Sequence, residues 1–289
     1  MFKGFEIGQI PHLMILGSHI RQSIGDDPEK QRIQEHYLEQ LPYSLVASAT
    51  ALLNIAGALS DAPKHIPPFP REGTSAGIVL LPEHIRNVMG FAIDSYFDAA
   101  RRTQNATCIY ISKVFKISIP SSMADTFKDI EKGKICLPDN IKDIIIGYWN
   151  KDGLKVKHYR DLVQHHVVVS SDARLVLLPG GGELLYLTLP NNPTEKNPAQ
   201  LKYIEPTIDA FRYIFSSFMM LYEYVFYITY NLLNYLPVPD HETMSIMFKS
   251  PLTVGSNKPE GYPLPNVNNV IEQILKHQGA IKSRVSNKL

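Results

Sequence analysis

Long stretches of helical apolar spacing, bounded by proline, decide what this chain of 289 residues can become. Asp26-Asp27-Pro28-Glu29 has the form of a helix start: an acidic cap, a proline whose missing N–H costs nothing there, and negative charge in the first turn. The helix it opens extends to about Leu59, with Pro42 removing one backbone donor on the way. Its second half, Ser44 to Leu59, is nearly all small or aliphatic, which predicts a helix at the centre of a bundle. Pro82-Glu83 opens a second long helix to about Phe115, with an apolar stripe of Val88, Phe91, Ala92, Tyr96, Ala99 and Ala100 and a basic doublet, Arg101-Arg102. A short helix from Met123 to Lys132 ends at Gly133. Pro138-Asp139-Asn140 starts a third long helix, where Ile141, Ile144, Ile145, Tyr148, Trp149, Leu154, Val156 and Tyr159 are apolar. Glu205-Pro206 opens the last one, to about Tyr235.

Only residues 167–190 carry a strong strand signal. The apolar segments Arg174 to Leu178 and Glu183 to Leu189 flank Pro179-Gly180-Gly181-Gly182, which predicts a hairpin. The glycine triplet lacks the GxxxxGK[ST] context of a phosphate loop and opens no helix, so a turn is the expected role. The expected fold is therefore mainly α: a bundle of about four long helices with an inserted β-hairpin. Residues 1–24 form an N-terminal arm with an apolar cluster at Ile10, Leu13, Met14, Ile15 and Leu16. Residues 25–236 form the helical domain. Residues 237–289 form a proline- and glycine-rich tail with a short helix from Val267 to Lys276.

The chemistry is concentrated in Tyr159-Arg160-Asp161-Leu162-Val163-Gln164-His165-His166, at the C-terminal end of the third long helix. Asp161 and His165, four residues apart, share a helix face and can hydrogen-bond. Arg160 and His165 lie about 140° apart on an ideal helix, at ~100° per residue, and flank one edge of it. An arginine presents a permanent charge and forked donors to phosphate oxygens. A histidine titrates close enough to neutrality to give or take a proton. Together they can hold a phosphate and move a proton.

Arg160, a polar neighbour in Asp161, three further residues and then His165 match the R-x4-6-H pattern of the HEPN superfamily, and the chain from about Ile141 to Leu236 resembles the second half of a HEPN bundle with a β insertion. His166 satisfies the same pattern at the longer spacing. The resemblance implies an α-helical bundle and, as in many members, a metal-independent endoribonuclease. There the arginine and histidine of two protomers converge on a composite site at a dimer interface. It names Arg160 and His165 as the catalytic pair, with Asp161 and His166 beside them. It implies RNA or a nucleotide as ligand, a homodimer, and an antitoxin or defence-system protein as partner. Two other readings stand next to it: an inactive HEPN-like module that binds a nucleotide or protein, and a structural or membrane-associated helical protein.

The same residues also have structural roles open to them. Arg160 can form an ion pair with Asp161 or Glu183, and His165 can cap the helix C-terminus, where positive charge is favoured. Adjacent histidines point about 100° apart on a helix, so His165 and His166 cannot share one ion, and no metal or other cofactor is expected. Lone His36, His65, His84 and His241 are expected at the surface. Ser170-Ser171-Asp172 has no elbow motif around it and reads as a turn. Net charge is +1, so there is no global field for nucleic acid, and RNA binding would need a local patch. Two cysteines, Cys108 and Cys136, are too few for a disulfide framework, and with no signal-peptide pattern in Met1 to Glu6 a reducing cytoplasm is the expected setting. The segment from Phe211 to Leu236 is apolar enough to raise a membrane span. Glu223 near its middle, together with Asp209 and Arg212 near its start, favours a core or interface helix instead. Its tyrosines and methionines suit a subunit interface.

Overall fold

The computed structural model describes residues 16–17, 28–65, 77–165, 173–178, 182–203 and 208–236. The protein is mainly α. Its helices are α1 (Pro28–Asp61), α2 (Glu83–Phe115), α3 (Met123–Glu131), α4 (Asp139–Tyr148), α5 (Leu154–His165) and α6 (Ala210–Leu233). A π turn, Trp149–Gly153, joins α4 to α5, so four long helical segments build the bundle, as expected. The hairpin is present as β2 (Ala173–Leu178) and β3 (Gly182–Leu189), paired antiparallel from Ala173 opposite Leu187 to Leu178 opposite Gly182. Two strands that the sequence reading passed over extend it: β1 (Gly77–Leu80) lies antiparallel on β2, and the two-residue β4 (Ile208–Asp209) on β3. The turn at Gly180-Gly181, His166, the side chain of His165, the arm before Leu16 and the tail after Leu236 lie outside what is described.

The centre of the bundle is α2, not α1. Buried residues on α1 (Leu41, Leu45, Ser48, Leu52 and Ile55) follow one stripe at alternating spacings of four and three, while Tyr43, Thr50 and Asn54 are exposed. Serine and alanine in that stripe bring the two backbones close, and Thr103 Oγ1 on α2 donates to Ser44 Oγ across the contact at 3.0 Å. Helix α2 is enclosed by α1 on one side and by α5 and α6 on the other. Its buried set is therefore broad, with Ile85, Met89, Ile93, Tyr96, Phe97, Ala100, Gln104 and Ile111 among its members. The predicted stripe is off by part of a turn: Ala92, Tyr96, Ala99 and Ala100 are buried, but Val88 is 52% exposed and Phe91 66% exposed. Half of the basic doublet is internal as well. Arg101 is buried, donates to Gln104 Oε1 (2.9 Å) and Ser122 Oγ (3.1 Å), and lies over the Trp149 ring.

Helix α3 ends as its sequence predicts, with Gly133 at φ +66°. Helix α6 begins later than expected. Asp209 caps it, Oδ1 accepting from the Arg212 N–H at 2.8 Å, and residues 204–207 are outside the description. On α6, Ile214, Phe218, Leu221, Val225, Ile228 and Leu232 face the core, and Glu223, Tyr227 and Tyr230 face outward. Among the described residues, the helix long and apolar enough to cross a membrane by length and composition is Glu39–Asp61, not α6. Cys108 is a buried free thiol and Cys136 an exposed one.

Candidate functional site around Arg160 and Asp98

The site begins one turn earlier, at the π segment. Leu154 N–H bonds to the Trp149 carbonyl, five residues back, which inserts an extra residue into the helical ladder. The insertion shifts the phase of everything after it. Leu154, although apolar, is 40% exposed, while Val156, Tyr159 and Leu162 turn inward. Tyr159 stacks on Phe97 with ring centroids 4.9 Å apart, and its hydroxyl donates to the Pro190 carbonyl at 2.8 Å. With Tyr159 anchored, Lys157, Arg160, Asp161 and Gln164 come to the edge of α5 that borders α2.

Arg160 is 28% exposed and stands between two carboxylates. Its Nε lies 3.9 Å from Asp98 Oδ1 on α2, and one terminal nitrogen lies 3.5 Å from Asp161 Oδ1. At those distances both are ion pairs without a close hydrogen bond, and the buried Nε has no hydrogen-bond partner among the described residues. Asp161 Oδ2 accepts from Lys157 Nζ. Asp98 is shared further: Arg102 pairs with Oδ2, and Gln164 Nε2 donates to Oδ1 at 3.4 Å. The edge thus holds three cations, Arg102, Lys157 and Arg160, against two carboxylates. That leaves a net of one positive charge on the edge, with all three cations paired.

Of the sequence candidates, Arg160 and Asp161 are together on this edge, and the ion pair between them was foreseen. Asp161 and His165 share a helix face in the sequence, but the His165 side chain lies outside the description; the described partners of Asp161 are Lys157 and Arg160. Helix α5 ends at His165, whose side chain lies outside the description, as does His166. Asp98, Arg102 and Gln164 were missed as members. Arg102 and Asp98 are legible as an i, i+4 pair, but their approach to α5 is a tertiary fact. His158, also missed, is half-buried one turn before Asp161. Burial holds its imidazole below the usual histidine value, helped by Lys157 and opposed by Asp161.

A second polar cluster sits beneath the π turn. Asp152 is buried, and its two carboxylate oxygens accept from Tyr213 (3.0 Å) and Ser217 (2.6 Å) on α6. Burial raises the Asp152 pKa, while the two hydroxyl bonds, Lys155 and Lys151 pull it down. Lys155, its own pKa lowered by burial, rests on the Tyr213 ring at 4.3 Å. Gln104 of α2 closes the network, donating to Tyr148 Oη at 2.9 Å and to the Gly153 carbonyl at 3.2 Å. This cluster joins α2, the π turn and α6 in the interior.

Among the described residues there is no group of three or more histidine, cysteine, aspartate or glutamate side chains placed to hold a metal ion. Comparison with protein-family models, curated proteins and solved structures finds no match to this chain.

Proposed function

We propose that this chain is a HEPN-like helical protein that cleaves RNA without a metal ion, with Arg160 clamping the phosphate and His165 moving the proton. The observation that carries the reading is the state of Arg160. Its guanidinium lies at the exposed edge of α5, on the helix that ends with His165. It is oriented by Asp98 and Asp161 at 3.9 and 3.5 Å and closely hydrogen-bonded to neither. A phosphate oxygen can therefore displace a weak partner from the guanidinium. In this mechanism the ribose 2′-hydroxyl attacks the adjacent phosphorus, His165 accepts or returns the proton, and Arg160 stabilises the charge developing on the phosphoryl oxygens. Asp161 orients Arg160 from the same helix, and His166 has a supporting role. A second copy of the chain supplies the facing pair, so the active form is a homodimer. An antitoxin or defence-system protein is the kind of partner the resemblance implies.

The arrangement also favours a second reading. Asp98 and Asp161 leave little net charge on the Arg160 edge, and Asp98 ties α2 to α5 through both Arg160 and Gln164. An inactive binding module would keep the same ties for stability alone.

One experiment separates them. Purified protein is incubated with single-stranded RNA, with and without EDTA, and its mass is measured by light scattering. The proposal expects cleavage that survives EDTA, a particle of twice 32.6 kDa, and a loss of about 10²–10⁴ in rate for Arg160→Ala and for His165→Ala at unchanged melting temperature. His166→Ala should do less harm than His165→Ala. Intact RNA under all conditions would refute the ribonuclease, and a monomer would refute the composite site. An Arg160→Ala protein that melts several degrees early would identify the arginine as a structural tie.

A further inference from the structure

We infer that the groove between α1 and α2 is a nucleobase subsite for the nucleotide beside the phosphate held by Arg160, an inference that rests on the ribonuclease reading. The groove has a volume of about 200 Å³, and its lining includes Tyr43, Ala47, Ser95, Asp98, Ala99 and Arg102. That is below the ~300–1,000 Å³ of a site for a drug-sized ligand and suits one flat ring. Its floor is made by small residues: Ala99 is buried, and Ala47 is partly so. Two antiparallel helices with only Cβ atoms facing each other leave a shallow slot that their larger neighbours do not fill. On its rim stands Tyr43, 70% exposed, a large aromatic that the core does not use. Arg102 lines the groove as well, and its side chain is 64% exposed.

Aromatic faces and guanidinium planes are the surfaces on which proteins stack unpaired bases. The groove provides one of each.

Asp98 connects this groove to the phosphate edge. It lines the groove, pairs with Arg102 and lies 3.9 Å from Arg160 Nε. One carboxylate thereby holds two guanidiniums from two helices next to each other. Through Asp98, which borders both, a phosphate engaged by Arg160 lies next to the slot. Ser95 Oγ is not available to read the base as a donor, since it already donates to the Phe91 carbonyl at 2.7 Å. Recognition by stacking, with little donor and acceptor readout, predicts a subsite tolerant of base identity. Asp98 acts as a positioning residue for the two arginines.

The test uses full-length protein and a fluorescent single-stranded RNA 8-mer with 2′-O-methyl riboses, which cannot undergo 2′-hydroxyl attack. Binding is read by anisotropy, and cleavage of the unmodified RNA is read in parallel. Tyr43→Ala should weaken binding about five- to a hundredfold, the range for one lost base–aromatic stack. Tyr43→Trp should restore it. Ala47→Leu, which fills the slot, should weaken it to a similar degree, and Arg102→Gln should weaken it while flattening its salt dependence. Tyr230→Ala, an exposed aromatic on α6 away from the groove, should change nothing. Melting curves check that each variant is folded, and the exposure of Tyr43 makes its removal safe for the fold. If the wild type cuts RNA but Tyr43→Ala and Ala47→Leu leave both affinity and KM unchanged, the groove inference is wrong and the ribonuclease reading stands. If the wild type neither binds nor cuts, the ribonuclease reading fails and the subsite falls with it. Binding without cutting, weakened by Tyr43→Ala, upholds the subsite in a protein that is not a nuclease.

Discussion

Replacing Asp152 tests how the interior is held together. Its carboxylate accepts from the Tyr213 and Ser217 hydroxyls on α6, and it belongs to the π turn that redirects α5. Asp152→Ala takes the acceptor from two hydroxyls at once. A buried donor left unsatisfied costs about 1–3 kcal/mol. Ser217 is fully buried and Tyr213 only partly, so the second hydroxyl retains some access to water. The combined cost should be about 2–4 kcal/mol, a large share of the ~5–15 kcal/mol that holds a typical domain. Asp152→Asn keeps an acceptor, and either partner hydroxyl can turn to accept from the new amide. It should cost less than about 1 kcal/mol at neutral pH.

The two variants also differ in pH dependence. Burial raises the Asp152 pKa above the ordinary aspartate value of 3.8. Between 3.8 and the raised value the folded protein keeps a proton that the unfolded chain has lost. Stability contributed by this group is therefore full below pH 3.8 and is lost as pH rises through the folded-state pKa. Asparagine does not titrate, so Asp152→Asn should gain on the wild type as pH rises from 4 and then hold a constant difference. Urea unfolding followed by circular dichroism at pH 4, 6 and 8 measures both effects. An Asp152→Asn protein as unstable as Asp152→Ala at pH 8 would refute the reasoning, because it would show that the network requires the ionised carboxylate.

Two glycines six residues apart should respond in opposite directions. A Cβ on Gly153 would lie 3.0 Å from the Tyr148 ring and 3.1 Å from the Trp149 ring, so Gly153→Ala should cost about 1–3 kcal/mol through overpacking. Nothing lies within 4 Å of a Cβ on Gly147, inside α4, and Gly147→Ala should stabilise by about 0.5–1 kcal/mol; thermal melts of the two proteins check the pair. Burial pushes the Cys108 thiol up to about 11, whereas Cys136 is exposed. Titration with a thiol-reactive dye at pH 8 should label one thiol in the native protein and two in urea, and fast labelling of both in the native state would contradict the burial of Cys108.

The sequence carried the helices because each has a local start and a long period. Pro28, Pro82 and Pro138 mark helix starts that the structure keeps, and Gly133 takes the left-handed conformation expected of a terminator. The hairpin was legible from its alternating apolar segments on either side of a glycine-rich turn. Strand β1 was not, because four apolar residues, Gly77 to Leu80, do not identify themselves beside a proline-rich loop. Their pairing with Leu177 to Arg174 lies almost a hundred residues away. The start of α6 was misread for a similar reason, since Glu205-Pro206 and Asp209 both offer a cap and only the fold chooses between them. Arg160 and Asp161 were found as site candidates from their motif. Asp98 could not be, because what recommends it is its distance to Arg160, and distances between helices are absent from spacing.

The π turn decides which face the motif shows. An α-helix continued from α4 without the extra residue would carry each later side chain one position further around the axis, about 100°. His158 would then occupy the place that Tyr159 fills against Phe97, a buried aromatic slot. Tyr159 would take the place of Arg160 and set a ring beside Asp98 where the cation now stands. With the insertion, Tyr159 enters the core and a cation faces Asp98 instead. The rings of Tyr148 and Trp149 close over Gly153, and Gln104, Tyr213 and Ser217 supply the hydrogen bonds that keep the wide turn in place. Maintaining a π turn in a helix that could relax to regular geometry requires such support. The buried polar cluster and the exposed cationic edge are thus two ends of one device. The hydrogen bonds around Asp152 hold the phase of α5, and that phase places Arg160, rather than Tyr159, beside Asp98.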